Sequence, residues 1–450
     1  MAVRDASPEY GAKVEMPVVP EGYKQTEVGV VPDDWEVAPL GKAIAKLEAG
    51  VSVNSVDETQ RTYAHDQSVL KTSSIADGRF YPAECKKVAP RDLHRLSLNP
   101  EANTLLISRM NTPDLVGECG YVAQDHSSLF LPDRLWITRR RDDSEVDFHW
   151  LSYLLSSKPQ KSRIKGISTG TSGSMKNISK GSLLGLSIPF PAPREQRAIA
   201  TALSDVDALL EALDRLIAKK RDIKQATMQQ LLTAQTRLPG FEGEWEVKRL
   251  GELGSFLKGS GVRRNEAQSG SLPCVRYGEI YTVHHDVIRE FRSWISRDVA
   301  ATAVRIQKGD LLFAGSGETK DEIGKCVAVV IDKEAYAGGD IVILRAPETD
   351  PVFMGYALNQ PAVNLQKSSF GQGDAVVHIS ASALSQIFIK LPPKAEQDAI
   401  ATVLSDIDAE LEALQQRRTK IAAIKQAMMQ ELLTGRTRLV EPQPVAEAGA

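Results

Sequence analysis

The sequence lacks most of what would mark a metalloprotein, a secreted scaffold or a membrane protein. It has four cysteines, Cys85, Cys119, Cys274 and Cys326. They are widely spaced, with no Cys-x-x-Cys pair and no nearby histidine cluster, so neither a zinc site nor a disulfide framework is indicated. No apolar run approaches the ~18 residues of a membrane span, and the N-terminus lacks a signal-peptide core. The chain therefore reads as cytoplasmic, with no membrane partner. It also lacks an excess of positive charge: the formal net charge is −3, which denies nucleic-acid binding its easiest compositional sign.

Catalytic groupings are missing too. Neither Gly-rich loop fits a nucleotide-binding Gly-x-x-x-x-Gly-Lys-[Ser/Thr]; Gly324-Lys325 comes nearest, with Thr319 and Cys326 in the wrong places. Asp77 with Glu84-Cys85-Lys86 loosely mimics a nuclease grouping, but the second half of the chain has no counterpart. His284-His285 has no ligand partner at helical spacing and reads as a surface loop. Nothing assembles a nucleophile, a base and an oxyanion site. One local absence is informative. From Phe148 to Arg194 there is no acidic residue, while Lys158, Lys161, Arg163, Lys165, Lys176, Lys180 and Arg194 all fall there. A surface held against phosphates would be built this way; a solvated face that happens to lack acids is the plainer reading.

What is present is a duplication. The chain of 450 residues is too long for one core, with 42% hydrophobic and 25% charged residues as in ordinary globular proteins. Shifted by 201 residues, Glu195–Leu238 lies over Glu396–Leu439 without a gap, with 28 of 44 pairs identical. Weaker echoes precede it. Trp35-Glu36-Val37 recurs as Trp245-Glu246-Val247, Val116-Gly117-Glu118-Cys119 as Ile323-Gly324-Lys325-Cys326, and Ile188-Pro189 as Ile389-Lys390. The helical segments are thus nearly alike, while the blocks before them have drifted apart. One task is kept twice, and another differs between the halves.

Each helical segment follows prolines, Pro191 and Pro193 or Pro392 and Pro393, which suit a first turn. Ile199, Leu203, Val206, Leu210, Leu213 and Ile217 then recur in steps of four and three, as do Ile400, Leu404, Ile407, Leu411 and Leu414 before Ile421 and Met428. That is a coiled-coil seam. Gly435 is a stop for the second helix, and roughly 38 residues make a rod of about 57 Å. The simpler alternative is an amphipathic helix on a domain core; the duplicate favours two rods paired antiparallel. Short apolar runs such as Thr104–Ile107, Asp310–Phe313 and Ile341–Leu344, bounded by turn residues, read as strands, and Trp150–Leu155 and Val352–Leu358 as short helices.

The expected fold class is α+β: two α/β recognition domains separated by two long helices that pair as an antiparallel coiled coil, with pseudo-twofold symmetry. The expected boundaries are a tail at 1–21, a first domain at 22–193, a helical spacer at 194–236, a second domain at 237–393, a second spacer at 394–436 and a tail at 437–450. Duplicated, divergent, loop-bearing heads on a rod suit recognition better than catalysis. Half-sites on one face of duplex DNA lie about one helical turn, near 34 Å, apart, within reach of such a rod.

Several motifs carry a family resemblance. They are Tyr23-Lys24-Gln25-Thr26-Glu27-Val28-Gly29 with Trp35-Glu36-Val37; Pro193–Ala200 with its looser copy Lys394–Ala401; Lys224–Thr233 with Lys425–Thr434; Gly309–Glu318; and Ser369-Phe370-Gly371-Gln372-Gly373. With them, the chain from about Gly22 to Leu439 resembles the specificity subunits of type I restriction–modification enzymes. The central copy departs from the pattern, since Phe241-Glu242-Gly243-Glu244-Trp245 lacks the Tyr-Lys-Gln-Thr part. The resemblance implies that each variable block is a target recognition domain reading one half of a split double-stranded DNA sequence. It implies helices that set the spacing and dock two methyltransferase subunits, with restriction/translocase subunits outside. The chain itself would be non-catalytic and hold no cofactor; S-adenosylmethionine, ATP and magnesium would belong to the partners.

By motif position and residue type, the DNA-contacting candidates in the first head are Ser108, Arg109, Asn111, Lys165, Thr169, Thr171, Ser172 and Lys176. In the second they are Lys258, Ser316, Glu318, Lys320, Lys367, Ser369 and Gln372. On the outer face of the helices, Glu195, Gln196, Lys224, Gln225, Glu396, Gln397, Lys425 and Gln426 are partner-docking candidates; capping and pairing within the helix are their structural alternative. A coiled-coil adaptor that reads no DNA, and a nuclease using Asp77 and Glu84, are the other readings. The adaptor leaves two large divergent heads unexplained.

Overall fold

A computed structural model describes residues 19–56, 67–170, 174–373 and 376–441. It divides into two compact units, one formed by residues 1–212 with 419–450 and the other by 213–418. Among the described residues no helix is long and apolar enough to cross a membrane.

The first unit centres on strands β1 (Ile44–Ala49), β2 (Gly78–Phe80), β3 (Thr104–Ser108), β4 (Cys119–Val122) and β5 (Leu135–Arg140). They form a mixed sheet in the order β1-β5-β3-β4-β2, extended at the β2 edge by Ile75–Ala76. Helices α1 (Phe148–Ser156) and α2 (Lys158–Gly166) follow. The first long helix, α3, runs from Pro193 to Leu231. β3 is buried at every position, as an apolar strand in the middle of a covered sheet must be.

The second unit repeats this plan internally. Its sheet holds β6 (Ser255–Lys258), β7 (Val287–Ile288), β8 (Asp310–Ala314), β9 (Cys326–Val329) and β10 (Ile341–Arg345) in the order β6-β10-β8-β9-β7. In both sheets the last pair is parallel and the others antiparallel. Helices α4 (Pro351–Ala357) and α5 (Pro361–Phe370) match α1 and α2, and α6 runs from Lys394 to Leu432. The Trp-Glu-Val segments open each unit as strands, Glu36–Pro39 on Ser187–Phe190 and Glu246–Arg249 on Phe388–Leu391. Thus the strands and short helices expected from the apolar runs form where those runs lie.

Each unit contains the start of one long helix and the end of the other, running antiparallel. Of the predicted seam, Ile199, Leu203, Leu210, Leu213, Ile217, Ile400, Leu404 and Leu411 are buried and Val206, Ile407, Leu414, Ile421 and Met428 half-buried; Ile199 and Leu203 share a core with Met429 and Leu432 of the other helix, and Ile400 and Leu404 with Leu231 and Leu232. Polar residues lock the pair at matching places. In the first unit Lys425 Nζ lies 2.8 Å from Asp207 Oδ1, Tyr153 Oη donates to Asp207 Oδ2 at 2.8 Å, and the ammonium sits 5.3 Å over the tyrosine ring. In the second unit Lys224 lies 2.7 Å from Asp408, which also accepts from Tyr356 Oη, and its ammonium is 4.9 Å over that ring. Arg79 adds to the first cluster and Arg289 to the second, the latter at 2.8 Å. Burial and then the carboxylate push both tyrosine hydroxyls far above their ordinary range. Burial works against Asp408 as an anion, but Lys224 and Tyr356 outweigh it and hold its carboxyl low.

A second clamp sits one helical stretch away. Arg438 grips Glu195 at 2.6 and 2.8 Å and Asp34 at 2.9 and 2.7 Å, while Trp35 Nε1 donates to Glu195 at 3.0 Å. Arg237 takes Glu396 at 2.6 Å by two nitrogens and lies 5.8 Å over the Trp245 ring. Both glutamates are fully buried. Gln196 and Gln397 accept from the Asp147 and Asp350 amides at 2.8 and 3.0 Å and donate to the Pro191 and Pro392 carbonyls. Asp147 and Asp350 in turn cap α1 and α4.

These contacts correct one expectation. Glu195, Gln196, Glu396, Gln397, Lys224 and Lys425 do not face outward; they fasten each head to the helix pair. Gln225 and Gln426 alone of the eight are exposed. The near-identity of the helices follows, because each supplies the same anions at its start and the same cations at its end.

Just past the helix ends the copies differ at two neighbouring positions, Ala234-Gln235 against Gly435-Arg436. Gly435 has φ +71°, and a Cβ there would come within 2.5 Å of Pro32 and 3.0 Å of Trp35. Pro32 closes the hairpin of Tyr23–Thr26 and Gly29–Pro32, whose Tyr23 hydroxyl donates to Gly435 O at 2.9 Å. At the matching place in the other unit stands Ala234, at φ +60°, where the chain has no copy of that hairpin.

Two outcomes follow. Arg438→Met leaves two carboxylates without their cation, one of them fully buried, and is expected to cost about 3–5 kcal/mol in urea unfolding; Arg237→Met acts in the same direction. Gly435→Ala is expected to cost about 1–3 kcal/mol, whereas Ala234→Gly stays within about 1 kcal/mol of neutral on the stabilising side. Equal effects at the two positions would refute the packing argument.

Candidate nucleic-acid interface

At one end of each sheet the central strand runs into a short two-stranded ribbon. After β3, Met110–Asn111 pairs with Lys176–Asn177; after β8, Ser316–Gly317 pairs with Val377–His378. The bases match bond for bond. Ile178 N donates to Arg109 O at 2.9 Å and Ile379 N to Gly315 O at 3.0 Å; Gly117 N donates to Ser108 O and Gly324 N to Ala314 O. Thr169 brackets Asn177 through two backbone bonds, and Gln372 brackets His378 in the same way. A glycine follows in each loop. Gly170 (φ +150°) and Gly373 (φ +109°) have no room for a Cβ, which would fall 2.7 Å from Met175 O and 2.1 Å from Val376 O.

This frame gathers several residues chosen from sequence. Arg109, Asn111, Thr169 and Lys176 come together on the first ribbon, with the Arg109 guanidinium 5.9 Å over the Trp136 ring and Lys176 Nζ donating to Gly170 O. Lys165 lies on α2, 3.9 Å from Asp114. Ser108 is fully buried and receives Asn111 Nδ2 at 3.3 Å, so it positions Asn111 and has no exposed surface of its own. Thr171 and Ser172 lie outside the described residues. On the second ribbon are Gln372 and Ser316, whose hydroxyl is 2.9 Å from His378 Nδ1. Glu318 and Lys320 are exposed in the adjoining loop, and Ser369 is exposed at the end of α5. Lys258 is exposed on the edge strand; it pairs with Val342, and Val342 with Phe313, so it stands at the ribbon end of the sheet.

Lys367 is a correction. It is 1% exposed and spends its ammonium on the Gly324 and Leu358 carbonyls, both at 2.9 Å. The acid-free stretch is also less of a basic surface than its sequence implies. Lys161 turns to Glu118 and Asp77 at 2.5 and 2.6 Å, and Arg163 to Ser187 O at 2.6 Å. The acids absent from the stretch itself come from elsewhere in the fold. Lys158, Lys180 and Arg194 remain exposed. His284 is buried, against the surface-loop expectation, and His285 is exposed.

Asn177 and His378 were not among the residues singled out. Their signal was a one-residue difference within a copy: Asn177-Ile178-Ser179 and His378-Ile379-Ser380 stand 201 apart. The Ile is buried beneath each ribbon and the Ser caps the helix that follows, leaving the polar residue before them free to differ. Asp77 and Glu84, the nuclease candidates, are occupied by Lys161 and by Ser73 with Lys71, and no group of three or more metal-ligating side chains occurs among the described residues.

Comparison with known proteins agrees with this architecture. The family described as type I restriction modification DNA specificity domain matches residues 93–219 and 242–423. The type I restriction enzyme MjaVIII specificity subunit of Methanocaldococcus jannaschii is 24% identical over 93% of this chain and 96% of its own length. The EcoKI specificity subunit of Escherichia coli is 21% identical over 90% and 89%. The crystal structure of the type I restriction–modification S subunit from M. genitalium shares the fold at a TM-score of 0.56 and 17% identity, covering 88% of this chain and 96% of that one. The chain belongs to the type I restriction–modification specificity family.

Proposed function

We propose that each unit reads one half of a bipartite double-stranded DNA target, and that the long helices fix the spacing and dock two methyltransferase subunits. The observation that carries this reading is the pair of ribbons. They share one backbone frame but differ in the side chains they present, as Arg109, Asn111, Lys176 and Asn177 against Gln372 and His378, the latter backed by the buried Ser316. A common scaffold with exchanged hydrogen-bonding groups reads two different sequences from the same pose. Asn, Gln and Arg pair bidentately with base edges, while Lys165, Lys258 and Lys320, with the hydroxyls of Ser369, Thr169, Thr171 and Ser172, suit the phosphates beside them. Glu318 suits a cytosine amino group.

The chain acts as a non-catalytic cytoplasmic subunit. S-adenosylmethionine, ATP and magnesium belong to the methyltransferase and restriction/translocase partners. Gln225 and Gln426 occupy equivalent exposed places near the helix ends, and equivalent places suit two copies of one partner. The clamp residues beside them serve that docking indirectly, by holding the helix ends in position.

Methylome mapping by single-molecule sequencing, with this chain expressed beside its methyltransferase, tests the reading. Methylated adenines are expected within one split motif with a fixed gap. Exchanging residues 22–193 for another member's block should change one half only. Asn111→Ala or Lys176→Ala should weaken binding through the first half, and Gln372→Ala or His378→Ala through the second, each base contact being worth about 1–3 kcal/mol. Absence of methylation with a partner shown to be bound would withdraw the DNA assignment and favour an adaptor.

A further inference from the structure

Each head is tied together behind its own ribbon, by chemistry that differs between the two. In the first, Lys161 on α2 reaches Glu118, beside the ribbon base, and Asp77 before β2. Burial works against this ammonium, but Asp77 and Glu118 raise its pKa above the ordinary lysine value. One turn further along α2, Ile164 is buried against Gly117, where a Cβ would come within 2.2 Å of it.

In the second head that tie has been dismantled. Lys325 stands in the place of Glu118, Asn364 in that of Lys161 and, by strand register, His285 in that of Asp77. These three residues now line an open cavity of about 330 Å³, and among the described residues no ammonium–carboxylate bridge joins α5 to the ribbon base. A lysine occurs instead at the place of Ile164: Lys367 packs its stem on Gly324, with Cδ 3.1 Å from a Cβ placed there. Its ammonium donates to Gly324 O, at the base of the ribbon loop, and to Leu358 O, at the end of α4. Among the described residues no carboxylate neutralises it. Burying a lysine without an anion costs several kcal/mol, and the first head shows that an isoleucine fills the same position.

Resting on the reading of the ribbons as DNA-contacting, we propose that Lys367 is a positioning residue for the second half of the target. It joins both arms of the second ribbon: the arm from β8 through Gly324, whose amide closes the loop onto Ala314 O, and the arm from α5 that leads through Ser369 to Gln372. The cation replaces the lost Lys161–Glu118 type of bridge. Its effect is therefore confined to one head, and it acts through Ser316, Gln372 and His378 without touching DNA.

The test uses the full chain with its methyltransferase and a duplex carrying the methylation-mapped motif, beside two duplexes in which one half is scrambled. Lys367→Met and Lys367→Ile, the latter copying the first head, are expected to fold with unchanged or raised Tm, since they remove a buried unpaired charge. Discrimination against the duplex with a scrambled second half should fall about tenfold, and discrimination at the first half should stay at the wild-type value. In the wild type, second-half discrimination should also weaken as pH rises through about 8, the value to which burial brings the Lys367 ammonium, and this dependence should vanish in Lys367→Met. Cys326 is the titratable neighbour acting on that ammonium, and burial pushes its thiol up to about 12, leaving it protonated throughout. Unchanged second-half discrimination, equal losses in both halves, or failure of both variants to fold would each overturn the proposal. A wild type that discriminates neither half would overturn the DNA reading itself.

Discussion

Everything in this protein is arranged around a charge pairing between the start of one long helix and the end of the other. Asp207 with Lys425 and Asp408 with Lys224 place an anion from one helix against a cation from its antiparallel neighbour, with a tyrosine from the adjoining head completing each site. A purely apolar seam would hold two helices together but tolerate slippage by a heptad. A buried ion pair with a hydrogen-bonded third member does not, because every other register leaves a desolvated charge unpaired. The glutamate clamps at Glu195 and Glu396 repeat the device nearer the helix starts.

This register requirement explains why the helical segments have stayed alike while the heads have diverged. Each helix must present the same acids early and the same bases late, since each unit takes one set from each helix. The head is joined at the same points, through Trp35 or Trp245, Tyr153 or Tyr356, and Gln196 or Gln397. Farther from the clamps the constraint relaxes. Sheet order and pairing are kept, but ribbon side chains, the ion pair behind the ribbon and even the residue under the ribbon-base glycine are exchanged. The ribbons vary where they do because those positions carry no part of the register.

Large parts of this were legible beforehand. Alternating three- and four-residue spacing located the seam, since period alone decides which face is buried. Apolar runs between turn residues located β3, β8 and β10. The site was legible only in part. Arg109, Asn111, Thr169, Lys176, Ser316 and Gln372 share ribbons because Gly and Ser/Thr punctuation marks loops. Lys367 and the helix-start glutamates misled because residue type predicts exposure on average, and a Lys or Glu with a built partner breaks that average.

The sequence by itself determined the duplication, the long helices with their apolar stripe, and the family, because these depend on period, spacing and identity along one chain. The tertiary structure alone decided which polar residues of the helices are spent internally, which acid neutralises which base across some 200 positions of sequence, and which lysine lies beneath a ribbon loop. The physical reason is that a charge's role is set by what is placed within a few ångströms of it. Chain folding, which brings Arg438 to Glu195 and Lys367 to the Gly324 carbonyl, makes that placement, and no local pattern encodes it.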